Sequence, residues 1–119
     1  MRIRLLLPAV CALAFASAVS AHAFLDHAVP AVGSTVHAPP SQVRLWFTQE
    51  LEPAFSTVQV SDATGKRVDQ GDARVDDRDA TLLTVSVPAL APGRYRVTWR
   101  VLSVDTHASE GDFSFNVER

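Results

Sequence analysis

Cysteine and methionine are nearly absent: Cys11 and Met1 are the sole examples of each in 119 residues. Whatever the chain beyond them binds, it binds without thiolate or thioether, and it folds without disulfides. A basic excess is missing too, with 11 Lys and Arg against 13 Asp and Glu, so nothing suggests nucleic acid, which would call for a basic face. No stretch after residue 22 holds apolar residues at helical spacing over several turns. Internal repeats, linkers and low-complexity tracts are lacking as well. The apolar run from Leu5 to about Ala16 is too short to span a bilayer as a stable helix.

That run has the flanks of a signal peptide. Arg2 and Arg4 precede it, and small residues, Val19 and Ala21, stand where cleavage between Ala21 and His22 needs them. Cuts after Ala18 or Ala23 obey the same small-x-small rule, but only the cut after Ala21 frees the amine of His22. Residues 1–21 are therefore expected to be a leader, and residues 22–119 one exported domain of 98 residues, enough for a self-sufficient core. Without Arg2 and Arg4 its formal charge is −4.

The remaining pattern has a period of two. Val43, Leu45 and Phe47 alternate with Arg44, Trp46 and Thr48 over Gln42 to Thr48, as in a half-buried strand. Further strands are expected over Phe55 to Ser61, Lys66 to Asp69, Thr81 to Val87, Arg94 to Val101 and Asp112 to Glu118. A turn at Asp62-Ala63-Thr64-Gly65 joins the first two of these. Tyr95, just after Pro92-Gly93, has the placement of a tyrosine corner. Together these features imply an all-β fold, a Greek-key barrel or immunoglobulin-like sandwich of about seven strands.

Gln70 to Ala80 contains Asp72, Asp76, Asp77 and Asp79 with Arg74 and Arg78 between them. The calcium-loop spacing, with its central Gly and final Glu, is absent. A solvated loop with neutralising arginines is the expectation there.

The residues that point to chemistry are His22, Asp105 and His107. On an extended backbone Asp105 and His107, two apart, share a face. If cleavage frees His22, its amine and Nδ1 would close a six-membered chelate on one metal ion, with Asp105 and His107 adding an oxygen and a third nitrogen. Three nitrogens and one oxygen, without soft sulfur, suit Cu(II) better than Cu(I), and better than tetrahedral Zn(II). His27 and His37 are expected in exposed or hydrogen-bonded roles.

Over nearly the whole of residues 22–119 the chain resembles the periplasmic copper-binding CopC proteins. The matching pieces are His22-Ala23 with Leu25, Pro30 to Ser34, Val43 to Thr48, Leu90 to Val97, Trp99 to His107, then Gly111 and Phe113-Ser114-Phe115. The resemblance implies a Greek-key barrel and one Cu(II) per chain, held by the His22 amine and imidazole, Asp105 and His107. It also implies a periplasmic role in copper delivery or resistance, with an inner-membrane transporter of the CopD type as partner. Two departures stand out. Many relatives have Glu where this chain has Gln49, and the methionine-rich Cu(I) segment of some relatives has no counterpart here.

Three functions fit such a chain: a non-catalytic, monomeric copper carrier, an oxidative enzyme using the same amino-terminal histidine brace, or an adhesion module in which the metal residues are incidental. Asp105 would fill coordination space that an enzyme needs for oxygen, and 98 residues leave little room for a polymer platform. The carrier is the expectation.

Overall fold

The computed structural model describes residues 22–119. The expected leader, residues 1–21, lies outside the described residues. Eight strands are present: β1 Leu25–Val29, β2 Thr35–Val36, β3 Gln42–Phe47, β4 Thr57–Ser61, β5 Arg74–Val75, β6 Leu82–Ser86, β7 Gly93–Leu102 and β8 Ala108–Val117. They form two four-stranded sheets, ordered β1-β3-β6-β5 and β2-β8-β7-β4. Every pairing is antiparallel except β2 with β8. The expected sandwich is therefore found, with two of its strands only two residues long.

Alternation decides what lies between the sheets. Val43, Leu45 and Phe47 of β3, Val58 and Val60 of β4, Leu83 and Val85 of β6, Tyr95, Val97, Trp99 and Val101 of β7, and Phe113, Phe115 and Val117 of β8 are all buried in one core. Each such side chain adds roughly 1.5–3 kcal/mol through apolar area removed from water. Phe47 meets Trp99 edge to face, with ring centroids 5.0 Å apart. Trp99 fits because its partner in the β7–β8 ladder is Gly111, where a Cβ would come within 2.5 Å of the indole. Tyr95 donates its hydroxyl to the Ala91 carbonyl at 2.6 Å, forming the expected tyrosine corner.

Four expectations need correction. The strand expected from Phe55 starts at Thr57, because Pro53–Phe55 form a short 3-10 turn that leaves Phe55 exposed. Lys66 to Asp69 is no full strand. A single bridge joins Ser61 and Arg67, and the Val60 N–H goes to the Asp69 carboxylate instead of a backbone carbonyl, which ends the ladder. The aspartate-rich stretch is not simply a loop, since β5 inside it pairs with β6. Finally, β8 begins at Ala108, so β7 and β8 pair down to Leu102 and Ala108 and leave only a tight hairpin turn between them.

Candidate metal centre

That hairpin turn carries Asp105 and His107. Thr106 between them has φ of 71°, a conformation unfavourable for a β-branched residue. The pair is therefore close for a different reason from the one the spacing suggests: the backbone is turned, not extended. Ser103 holds the turn. Its N–H donates to the His107 carbonyl at 3.0 Å, and its own carbonyl accepts from Thr106 N–H at 2.9 Å. The Ser103 side chain is wholly buried. Its hydroxyl donates to Asp105 Oδ1 and accepts the His107 N–H at 3.2 Å.

His107 Nδ1 lies 3.8 Å from Asp105 Oδ1, and both side chains are about half exposed, at 48% and 45%. The Ser103 hydroxyl holds the Asp105 carboxyl below the usual carboxylate range, with a smaller contribution from nearby His107. Asp105 is thus an anion that faces water.

His22 reaches the same place from the other end of the chain. Its imidazole centroid is 4.9 Å from that of His107, the rings tilted by 45°, and 6.3 Å from that of Phe24. The fold therefore sets His107 between two candidate partners, the His22 ring and the Asp105 carboxylate. They are not a finished cage: among the described residues no three His, Cys, Asp or Glu side chains are already gathered as a metal-ligand set. The His22 nitrogen is a peptide nitrogen as long as Ala21 precedes it. As donors the three fit a borderline cation, with imidazole nitrogens and a carboxylate oxygen and no sulfur.

The other histidines lie elsewhere. His27 is exposed, stacked on Trp46 at 4.4 Å and 7°, with Nδ1 2.7 Å from Asp26 Oδ2. Its role is the hydrogen-bonded one expected. His37 is exposed beside β2, and Gln49 is exposed in the loop after β3. Trp46 faces outward and also carries the Arg44 guanidinium 4.8 Å from its ring.

Charge converges on this end of the sandwich. Backbone bonds from Leu51 to Ala80, Val104 to Glu50 and Glu52 to Leu102 gather the loops 48–56, 76–81 and 103–107 there. Those loops hold Glu50, Glu52, Asp76, Asp77, Asp79 and Asp105 against one basic residue, Arg78. A field of that sign draws cations toward the histidines.

Three hydroxyl residues were missed by reading for ligands alone. Ser103 shapes the turn, Ser109 Oγ donates to the Ala23 carbonyl at 2.6 Å, and Thr48 Oγ1 accepts from Phe24 N–H at 3.0 Å. The alternation Ser103, Asp105, His107, Ser109 was the available signal.

Comparison with known proteins decides the family. The CopC domain matches residues 25–118. The chain belongs to the CopC family. Among curated relatives, Protein YobA of Escherichia coli K12 is 34% identical over 101 residues, 84% of this chain and 82% of the relative. Copper resistance protein C of Xanthomonas campestris pv. juglandis is 33% identical over 112 residues, 89% of this chain and 87% of the relative. The crystal structure of CopC from Methylosinus trichosporium OB3b is similar at a TM-score of 0.73 and 39% identity, covering 82% of this chain and 94% of that one. A CopC-family role in copper resistance or transport follows, and the sandwich is the family's.

Proposed function

We propose that the protein is a periplasmic carrier that binds one Cu(II) per chain and passes it on without turnover. His22, through its freed amine and its imidazole, is the bidentate anchor, and Asp105 and His107 are the remaining ligands. The observation that carries this reading is the meeting of His22 with His107, itself beside Asp105, from distant parts of the sequence, at the acidic end of a CopC fold. An imidazole-and-carboxylate set suits Cu(II), and a nitrogen released by cleavage after Ala21 completes it. Residues 1–21 act as the leader that exports the chain and exposes that nitrogen. Asp105 takes a position that an oxygen-activating enzyme would keep open.

The surroundings suit delivery to a membrane acceptor of the CopD type. Phe24, Phe55 and Val104, three of the five large exposed apolar side chains among the described residues, stand at the copper end, with carboxylates among them. Such a mixture fits docking to an apolar socket with a basic rim. The carrier itself is a monomer in this reading.

The test begins with mass spectrometry of the exported protein, which is expected to start at His22, and with a titration expected to saturate at one Cu(II). One extra residue before His22 turns the ligand amine into an amide and is expected to weaken binding by at least about a hundredfold, roughly 2.7 kcal/mol. Equal affinity with and without that residue overturns the brace. Catalytic oxidation of a glycan by the copper-loaded protein, with reductant and oxygen, overturns the carrier.

A further inference from the structure

The three ligands of the proposed site do not themselves explain what holds the amino-terminal one in place. His22 precedes β1 and lies outside regular structure. The two residues after it are gripped from different directions. Phe24 exchanges two hydrogen bonds with Thr48: its N–H donates to Oγ1 at 3.0 Å, and its carbonyl accepts the Thr48 N–H at 2.9 Å. These bonds continue the β1–β3 pairing and tie the segment to its own sheet. Ala23, fully buried, is held from the opposite sheet: its carbonyl accepts the Ser109 hydroxyl at 2.6 Å, across 86 residues of sequence. Ser109 lies on β8, two residues beyond His107.

We infer that Ser109 is a positioning residue of the copper site: by bonding the Ala23 carbonyl it sets the spacing between His22 and His107. This rests on the proposed copper reading and adds a residue that is not a ligand. The physical reason is the freedom of a chain end. A terminal segment is poorly ordered unless tied down, and each residue that must be fixed when metal binds weakens binding by the entropy it loses. The Ser109 bond fixes the residue next to His22 in advance, on the strand that leads away from His107. Thr48 cannot substitute for it, because its bonds place Phe24 relative to β3 and not relative to β8.

The experiment uses the chain beginning at His22 and Cu(II) ions as the probe. Affinity is measured by competition with a chelator for the wild type, Ser109→Ala and Ser109→Thr, and again for the wild type and Ser109→Ala carrying His22→Ala. Ser109→Ala is expected to weaken binding about tenfold, the worth of one well-formed hydrogen bond. It is expected to change nothing further once His22 is alanine. Ser109→Thr keeps the hydroxyl on a strand that accepts β-branching, and it is expected to retain the wild-type affinity. In the metal-free protein, the nuclear Overhauser contact between the His22 and His107 rings is expected to weaken in Ser109→Ala and to persist in Ser109→Thr.

Full affinity in Ser109→Ala, an equal loss in both His22 backgrounds, or an undiminished ring contact overturns the positioning role. The copper reading fails differently: a wild-type affinity that is indifferent to His22→Ala overturns it, and the role of Ser109 with it. A His22-dependent site that ignores Ser109 overturns only the latter.

Discussion

The aspartate-rich stretch 69–79 and the hairpin turn 103–107 both present carboxylates, and they differ in what those carboxylates already hold. Asp69 is completely buried at its side chain, paired with Arg67 at 2.9 Å, and takes the N–H groups of Val60 and Gly71 at 2.8 and 3.0 Å. Asp72 takes the Ser86 N–H, Asp76 those of Arg78 and Asp79, and Asp79 both the N–H and hydroxyl of Thr81. Asp72 stands in for a strand carbonyl on β6 where two-residue β5 has ended, and Asp69 does the same for β4 in the other sheet. Asp76 and Asp79 cap N–H groups of the turn before β6. Asp105 accepts from Ser103 through Oδ1 and otherwise faces water beside the imidazole of His107. The carboxylates of the aspartate-rich stretch are committed to the fold, whereas Asp105 keeps lone pairs free beside an imidazole, which is what the proposed metal site requires.

The sharpest way to break that contrast is to neutralise one carboxylate in each region. Asp105→Asn removes the charge of a proposed ligand and is expected to weaken Cu(II) binding about a hundredfold, some 2.7 kcal/mol. Asp72→Asn is expected to change it less than twofold. A competition titration of the two variants decides the matter, and comparable losses in both would show that copper responds to the net charge of the protein and not to Asp105 as a ligand.

Stability is expected to reverse the order. Asp69→Ala leaves the Val60 and Gly71 N–H groups and the Arg67 guanidinium without their partner, at about 2–3 kcal/mol in all. For a domain of this size that is a fall in Tm of about 10–20 °C. Asp105→Asn is expected to move Tm by no more than about 2 °C, since a surface change of this kind is worth little. Thermal melts of the metal-free variants measure both, and a larger drop for Asp105→Asn breaks the assignment of one region to the fold and the other to the ligand.

Acid separates the regions a third way. Burial pushes the Asp69 carboxyl up, but the Arg67 guanidinium and the Val60 and Gly71 N–H groups outweigh it and leave it below the usual range. Asp72 is lowered by its bonds to Ser86, and Asp79 by those to Thr81. A carboxyl with a depressed folded pKa binds fewer protons folded than unfolded, so its stabilisation is present above the unfolded value of about 3.9 and is lost as pH falls through the folded one. Unfolding by acid is therefore expected below about pH 4. Copper requires an unprotonated amine and imidazoles, groups that take up protons more readily than carboxylates do. The metal is expected to leave first, from a protein still folded. Circular dichroism and copper absorbance, followed in one acid titration, are expected to give two separate transitions; one shared transition would mean that the metal and the fold depend on the same carboxylates.

What the sequence made legible follows the same division. Apolar residues made β6 legible, although Leu82 to Val85 are buried in succession. Strict alternation exposed β3, β7 and the later part of β8, since each buries one face on a common core and the next residue cannot share it. It misled at Phe55, an apolar residue left exposed by the turn that Pro53 starts. It was silent at β5, where aspartates do the work of a neighbouring strand. The candidate ligands were legible as residue types, but the reason for their proximity was not. The turned backbone at Thr106 and the burial of Ser103, which is bridged to Leu51 from a distant part of the chain, are not written in the spacing of Asp105 and His107.

The smallest expected effect probes a second exposed acid–imidazole pair. Asp26 and His27 are closer, at 2.7 Å, than Asp105 and His107, at 3.8 Å. Distance between the two groups alone would favour the wrong pair. The ring of His27 is committed to the face of Trp46, which also carries Arg44, and Asp26 occupies its Nδ1. His27→Ala is therefore expected to leave copper affinity within about twofold. It is expected to destabilise the fold by about 0.5–1 kcal/mol, the worth of an exposed aromatic stack, and to alter Trp46 fluorescence, because an imidazole at 4.4 Å is lost from its ring. A tenfold loss of copper affinity in His27→Ala would mean that a carboxylate and an imidazole suffice without a second histidine beside them. The meeting of His22 with His107 would then no longer distinguish the copper end from the flank.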